Sequence, residues 1–286
     1  MLTRQIIETV VRAALVEDAP WGDLTSQLLI PESAYATARL VAREPGTFAG
    51  GEVFAAAMTL TDPAIEVVLE RADGEEFAAG DTLATVSGPA RSVLQGERVA
   101  LNFTQRMSGI ATLTAAFVRE VDGTSARVVD TRKTTPGLRA FERHAVRAGG
   151  GHNHRYSLSD AVMAKDNHLA VLTAQSGLSV TDALLAVRAQ LSHTTHLEVE
   201  VDRIDQIEPV LAAGVDTIML DNFTLDELRE GVALIAGRAI VEASGNVSLA
   251  TVRAIAETGV DVISSGALTH SVRSLDLGLD VVVETP

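Results

Sequence analysis

The sequence predicts an α/β protein in two parts. An α+β domain occupies residues 1–115, and a parallel α/β barrel of about six strands occupies 116–269. Three observations predict it. Six apolar runs appear from Ala126 onward, with helical patterns between them, and the later runs recur about every 22 residues, the repeat of a parallel βαβ unit. Each run is apolar at its start and polar at its C-terminal end. Upstream of them lie only short strand-like runs, separated by turns that carry Gly and Asp.

In order, residues 3–17 read as a helix, because Ile6, Ile7, Val10, Val11, Ala14 and Leu15 fall at helical spacing. EDAPWGDLTS (17–26) is a turn-rich connection. The runs 36–43, 65–70 and 81–88 read as strands, and the pattern turns helical from Ser92 to about Val121, interrupted only by Gly96 and Gly109. The six later runs are ARVVDT (126–131), AVMAKD (161–166), HLEVEVD (196–202), TIMLDN (217–222), AIVEASG (239–245) and DVISSGAL (261–268). Ser179 with Asp182 and Thr224 with Glu227 match the capping box, and Asp202 and Ser248 are further expected N-caps. Gly214, Gly237 and Gly259 stand where helices should stop. The C-terminal segment 270–286 is assigned to the first domain.

Composition limits the function. A formal net charge of −15 argues against nucleic acid as the main partner, since phosphate binding needs a basic surface. With no cysteine, thiolate nucleophiles, disulfides and Cys-based metal sites are excluded. No apolar run approaches the ~18 residues of a membrane span, and the N-terminal pattern lacks a signal-peptide core, so a cytoplasmic protein is expected.

In α/β barrels the active site gathers at the C-terminal ends of the strands. Here those ends carry cations, carboxylates and Gly/Ser loops. Residues 131–168 hold seven Lys/Arg against three acids, a charge of +4 inside an acidic chain, and that suggests a small anionic ligand. Arg139, Arg143 and Arg147, at i, i+4 and i+8, read equally well as a solvated helix face. Arg132, Lys133, Arg155 and Lys165 lie at strand ends or in loops, where that reading is weaker. Glu198, Glu200 and Asp202 alternate with Val199 and Val201, so all three carboxylates share one face. Lys133 and Lys165 are expected to offset them in an ion-pair network, or Mg²⁺ held through water does so. EASGN (242–246) and SSGAL (264–268) are expected to cradle a phosphate on backbone N–H groups and following helix N-termini.

DTRKTTPGLR (130–139), GGGHNHR (149–155), AKDNH, EVEVD, MLDNF, EASGN and GALTHS, with GERVALNFTQRMSGIAT (96–112) and EDAPWGDLTS upstream, together resemble the quinolinate phosphoribosyltransferase family. The likeness runs over nearly the whole chain with order and spacing intact. It implies an open-faced N-terminal sandwich domain, a TIM-like barrel, and a homodimer or higher oligomer whose active site borrows from the neighbouring subunit. The implied reaction condenses quinolinate with phosphoribosyl pyrophosphate, giving nicotinate mononucleotide, pyrophosphate and CO₂, with Mg²⁺. By the same resemblance Arg132, His154, Arg155 and Lys165 hold the two quinolinate carboxylates, and Lys133 contacts the pyrophosphate or ribose end. Glu200 and Asp221 serve the ribose hydroxyls and the Mg²⁺ shell. Ser244, Gly245, Gly266 and His270 cradle the 5′-phosphate, and Arg98 enters the partner's site. Arg143-His144 and Tyr156-Ser157 depart from the commoner family pattern.

Three other readings use the same residues. A related accessory protein that shares the scaffold but not the activity is expected to lose part of the Lys/Arg set, and Lys133, Arg155 and Lys165 are all present. A Schiff-base lyase with Lys165 or Lys133 as nucleophile leaves the arginines without a purpose. A carrier module in 73–95 lacks any lysine for attachment.

Overall fold

The computed structural model describes residues 2–282. Its strands, in chain order, are β1 (Tyr35–Ala42), β2 (Gly46–Thr47), β3 (Glu66–Leu69), β4 (Glu76–Phe77), β5 (Thr82–Pro89), β6 (Arg127–Val129), β7 (Val162–Ala164), β8 (Leu197–Val201), β9 (Thr217–Asp221), β10 (Ile240–Ser244), β11 (Val262–Ser264) and β12 (Leu277–Val282). Its helices are α1 (Arg4–Asp18), α2 (Leu24–Leu29), α3 (Gly51–Thr61), α4 (Ala90–Glu120), α5 (Arg139–Ala148), α6 (Asp166–Ser176), α7 (Val180–Arg188), α8 (Ile207–Leu211), α9 (Leu225–Ile235), α10 (Val252–Ala256) and α11 (Ala267–His270). The chain divides into two compact units. The first holds residues 1–115, 134–150 and 268–286, and the second holds 116–133 and 151–267.

The first unit is built on an antiparallel sheet of order β12-β1-β5-β3. Period-two alternation in β1 buries Ala36, Ala38, Leu40 and Ala42, and β12 adds Leu277 and Leu279, with Leu279 facing Leu40 across the ladder. Helix α3 buries Val53, Phe54, Ala57 and Met58, each large side chain contributing on the order of 1.5–3 kcal/mol by leaving water. At Gly109 of α4 the Arg273 carbonyl approaches so closely that a Cβ would lie 2.2 Å from its oxygen, so only glycine permits this contact.

Arg106, three residues earlier, ties α4 to α5. Its Nη2 and Nε donate to Glu142 Oε1 at 2.6 and 2.9 Å, and Nη2 also donates to the Thr269 carbonyl at 2.8 Å. Glu142 Oε2 accepts the Thr135 N–H at 3.1 Å, and Phe141 stacks on Phe103. These bonds are the physical reason residues 134–150 group with the first unit rather than with the sequence that flanks them.

The second unit holds a six-stranded parallel sheet of order β6-β11-β10-β9-β8-β7. That is the order of a barrel opened between its first and second strands. Among the described residues no ladder joins β6 to β7. His152 instead pairs beside β6, donating its N–H to the Val128 carbonyl at 2.8 Å and accepting from Asp130 N at 3.2 Å. The HNHR segment thereby occupies one side of the seam. Val199, Val201, Ile218, Leu220, Val241 and Ile263 are all buried, as strands covered on both faces require.

Ser179 and Thr224 each accept a backbone N–H three residues on, and Thr224 with Glu227 completes the expected capping box; Asp182 instead accepts the Ser179 hydroxyl, so that box is only half formed. Two others differ. Asp202 does not cap a helix, because the turn after β8 is a short 3₁₀ segment capped from Arg203, whose backbone N–H and that of Asp202 are taken by the Gln206 side chain. Ser248 opens a turn, and α10 begins only at Val252. Among the described residues no single helix is long and apolar enough to cross a membrane.

Candidate active site

The strand ends of the second unit surround a cavity of about 510 Å³. Nine of the twelve expected site residues line it: Arg132, Lys133, His154, Arg155, Lys165, Glu200, Asp221, Ser244 and Gly245. Gly266 does not, and Arg98 and His270 belong to the first unit. The cationic island of the sequence is thus divided. Arg139, Arg143 and Arg147 lie on α5 of the first unit, whereas the four strand-end and loop cations line the cavity.

Charge in the mouth is segregated. The cations come from the end of β6, from the seam segment and from the end of β7, while the carboxylates come from β8, β9 and β10. Arg155 is aimed by two soft contacts, Nη1 donating to the Ala161 carbonyl at 2.9 Å and Nη2 lying 3.6 Å from Met163 Sδ. Burial, and then Arg132 beside it, lowers its pKa, so the site holds two close cations that an incoming carboxylate would relieve. Lys165 pairs with Glu200, so the ammonium and the rim carboxylate hold one another.

Asp221 ends β9, and Asn222 adopts φ +58° immediately after it, donating Nδ2 to Asp221 Oδ2 at 2.7 Å. Asn222 Oδ1 in turn accepts Asn246 Nδ2 at 3.1 Å. Gly245 lies between Ser244 and Asn246 at φ +93°, where a Cβ would fall 2.2 Å from Asn222 Oδ1. This glycine is required by both conformation and close approach. The expected helix N-terminus after EASGN is absent, since the seven residues after Ser244 form a turn; the small-residue loop itself is present.

Below the rim lies a cluster that period two alone did not separate. Glu198 and Glu242, each 3% exposed, reach inward from β8 and β10. His154 Nε2 stands 3.3 Å from Glu198 Oε2 and 3.4 Å from Glu242 Oε2. Glu198 Oε1 and Glu242 Oε1 are buried without a hydrogen-bond partner. Burial pulls the His154 pKa down, but the two carboxylates outweigh it and raise it to about 10; burial pushes Glu198 up as well. His154 Nδ1 accepts the Arg155 N–H at 2.7 Å. Both ring nitrogens of His154 are thus engaged inside the protein, Nδ1 by the Arg155 N–H and Nε2 by the two carboxylates, while the residue lines the cavity.

Of the acids expected on one face, then, only Glu200 lines the mouth. Glu198 lies one layer deeper, and Asp202 is exposed beyond the strand end, beside Arg203. For Mg²⁺, Glu200 and Asp221 supply hard oxygen donors on adjacent strands at the open rim, which fits an ion that keeps most of its waters. His154, Glu198 and Glu242 form the one close group of three metal-ligating side chains among the described residues, and no metal was expected there.

Comparisons with known proteins agree with this arrangement. The family model for the N-terminal domain of quinolinate phosphoribosyl transferase matches residues 23–108, and that for its C-terminal domain matches 110–280. The chain is 44% identical to the nicotinate-nucleotide pyrophosphorylase [carboxylating] of Mycobacterium leprae, over 95% of each chain. It is 42% identical to a probable enzyme of the same name from Bacillus subtilis, over 94% of this chain and 91% of the other. The structure superposes on NadC from Streptococcus pyogenes with a TM-score of 0.92 at 42% identity, covering 99% of both chains. It also superposes on the nicotinate-nucleotide pyrophosphorylase of Francisella tularensis with a TM-score of 0.91 at 34% identity, covering 99% of this chain and 98% of that one. The chain belongs to the quinolinate phosphoribosyltransferase family.

Proposed function

We propose that this chain transfers the phosphoribosyl group of phosphoribosyl pyrophosphate to quinolinate with decarboxylation, giving nicotinate mononucleotide, pyrophosphate and CO₂ in de novo NAD biosynthesis. The observation that carries the reading is the polarity of the mouth: four cations on the seam side, facing carboxylates on β8 and β9. A pyridine dianion suits the first and a ribose the second. Arg132 and Arg155 take the two carboxylates, where a guanidinium fork matches carboxylate geometry. Lys165, already shared with Glu200, joins them across the boundary.

The ring nitrogen forms its bond to the ribose C1 as the C1–oxygen bond to pyrophosphate breaks. Positive charge grows on the sugar, and Glu200 and Asp221 stabilise it. Lys133 meets the departing pyrophosphate as a point charge. Glu200 and Asp221 would hold Mg²⁺ through water, and the ion would supply charge neutralisation to the phosphates there. Ribosylation leaves the ring nitrogen cationic. The C2–carboxylate bond then releases CO₂, its electron pair stays on C2 beside that cation, and a proton from solvent completes the product. The protein needs to position and neutralise, not to supply a nucleophile. A Schiff-base role for Lys165 is disfavoured by its ion pair with Glu200.

The test is the reaction itself. Purified protein with Mg²⁺, phosphoribosyl pyrophosphate and quinolinate should give nicotinate mononucleotide and CO₂ in equal amounts, and chelation should stop it; no product would sink the reading. We further propose a homodimer in which Arg98 of α4 completes the partner's site. Inactive Arg98→Ala and inactive Lys133→Ala subunits should regain activity when mixed. Failure after proven subunit exchange would refute a role for Arg98 in trans.

A further inference from the structure

We propose that Glu198 and Glu242 are positioning residues for the substrate carboxylate clamp, acting on Arg155 through the ring of His154. The inference rests on the phosphoribosyl-transfer reading and names residues that the reading leaves without a role.

Three anchors fix the segment that carries Arg155. Asp130, fully buried, accepts the His154 N–H at 2.8 Å and Asn153 Nδ2 at 2.5 Å. His154 Nδ1 accepts the Arg155 N–H at 2.7 Å. The ring that provides Nδ1 is held at its other nitrogen by Glu198 and Glu242, from strands on either side of β9. A ring fixed at both nitrogens fixes the backbone from which Arg155 projects over Met163 toward the cavity.

The cost of the arrangement argues against a merely structural role. Two carboxylates meet one imidazole in a buried site, and one oxygen of each has no hydrogen-bond partner. Well-packed apolar residues at these positions would be cheaper for folding. Unbalanced buried acids of this kind are found where function holds them. The surplus negative charge also lies under a pair of arginines, where Glu198 offsets part of the repulsion that Arg132 exerts on Arg155.

The near-isosteric variants Glu198→Gln and Glu242→Gln test this, with Glu198→Asp and Glu242→Asp as substitutes should either not fold. Each is expected to raise KM for quinolinate about tenfold or more, while KM for phosphoribosyl pyrophosphate stays within about twofold and kcat falls less than about threefold. A structural defect would move both KM values together. If the parent consumes quinolinate and both Gln variants keep its KM within twofold, the inference is overturned and the functional reading stands. A parent that never consumes quinolinate overturns both. A stoichiometric metal ion in the parent that is lost in Glu242→Gln also overturns the inference, because the three groups would then be a metal site.

Discussion

Two buried charge clusters, one in each unit, are built from similar residues and are opposite in kind. Arg106 and Glu142 balance one charge against one. Both carboxylate oxygens of Glu142 are taken, and Arg106 donates further to Thr135 Oγ1 and the Thr269 carbonyl. His154 with Glu198 and Glu242 sets two acids against one ring and leaves two buried oxygens without partners. A balanced, satisfied pair can serve as architecture. An unbalanced one persists because something other than stability holds it, and this one lies directly beneath the mouth that takes the substrates.

The comparison breaks most readily at Arg106. Arg106→Ala strands the 1%-exposed carboxylate of Glu142 and should cost about 3–5 kcal/mol in urea unfolding. A loss under about 1 kcal/mol would make the pair decorative and erase the contrast. The opposite expectation holds for Glu198→Gln, which removes one of two acids crowded against a single buried ring. Its unfolding free energy should stay within about 1 kcal/mol of the parent or rise. A loss as large as that at Arg106 would mean the two clusters are of one kind.

The smallest effect is at the surface. Glu44 is held by Arg273 first, and by the Asp276 N–H, to a pKa of about 2 against an ordinary 4.5. A folded pKa below the unfolded one stabilises above the unfolded value, and that contribution fades as pH falls toward 2. Arg273 is 71% exposed, so solvent screens most of it. Glu44→Gln should therefore shift thermal unfolding slightly at pH 7 and by much less near pH 2. An equal shift at both values would assign the effect to packing.

Much of this was legible in the sequence. All six barrel strands fall inside their apolar runs, because a buried parallel strand is a near-continuous apolar stretch bounded by breaks. Helix α3 was not read, since GEVFAAAMTLT is apolar or small on most faces and offers no helical contrast. β2 and β4, two residues each, have no period to detect, and β12 forms only by pairing with β1, more than two hundred residues earlier. In the site, period two named the face of Glu198, Glu200 and Asp202 but not their depth. Depth is set by register: Glu200 lies beside Met219 at the mouth, whereas Glu198 lies beside Thr217 one layer below. The signal for the buried pair was present as a glutamate two residues before a polar rim residue in both EVEV and EASG. It becomes readable only once the strands are known to close around a common interior.

The central claim is that the cationic seam recognises two carboxylates, and substrate preference tests it most directly. The parent enzyme should be assayed with phosphoribosyl pyrophosphate, Mg²⁺ and, separately, quinolinate and nicotinate, and kcat/KM compared. The account predicts at least about a thousandfold preference for quinolinate, because nicotinate leaves the half-buried arginines of the clamp short of a carboxylate partner. Comparable use of nicotinate would keep the sugar site but contradict the double-carboxylate clamp on which the account stands.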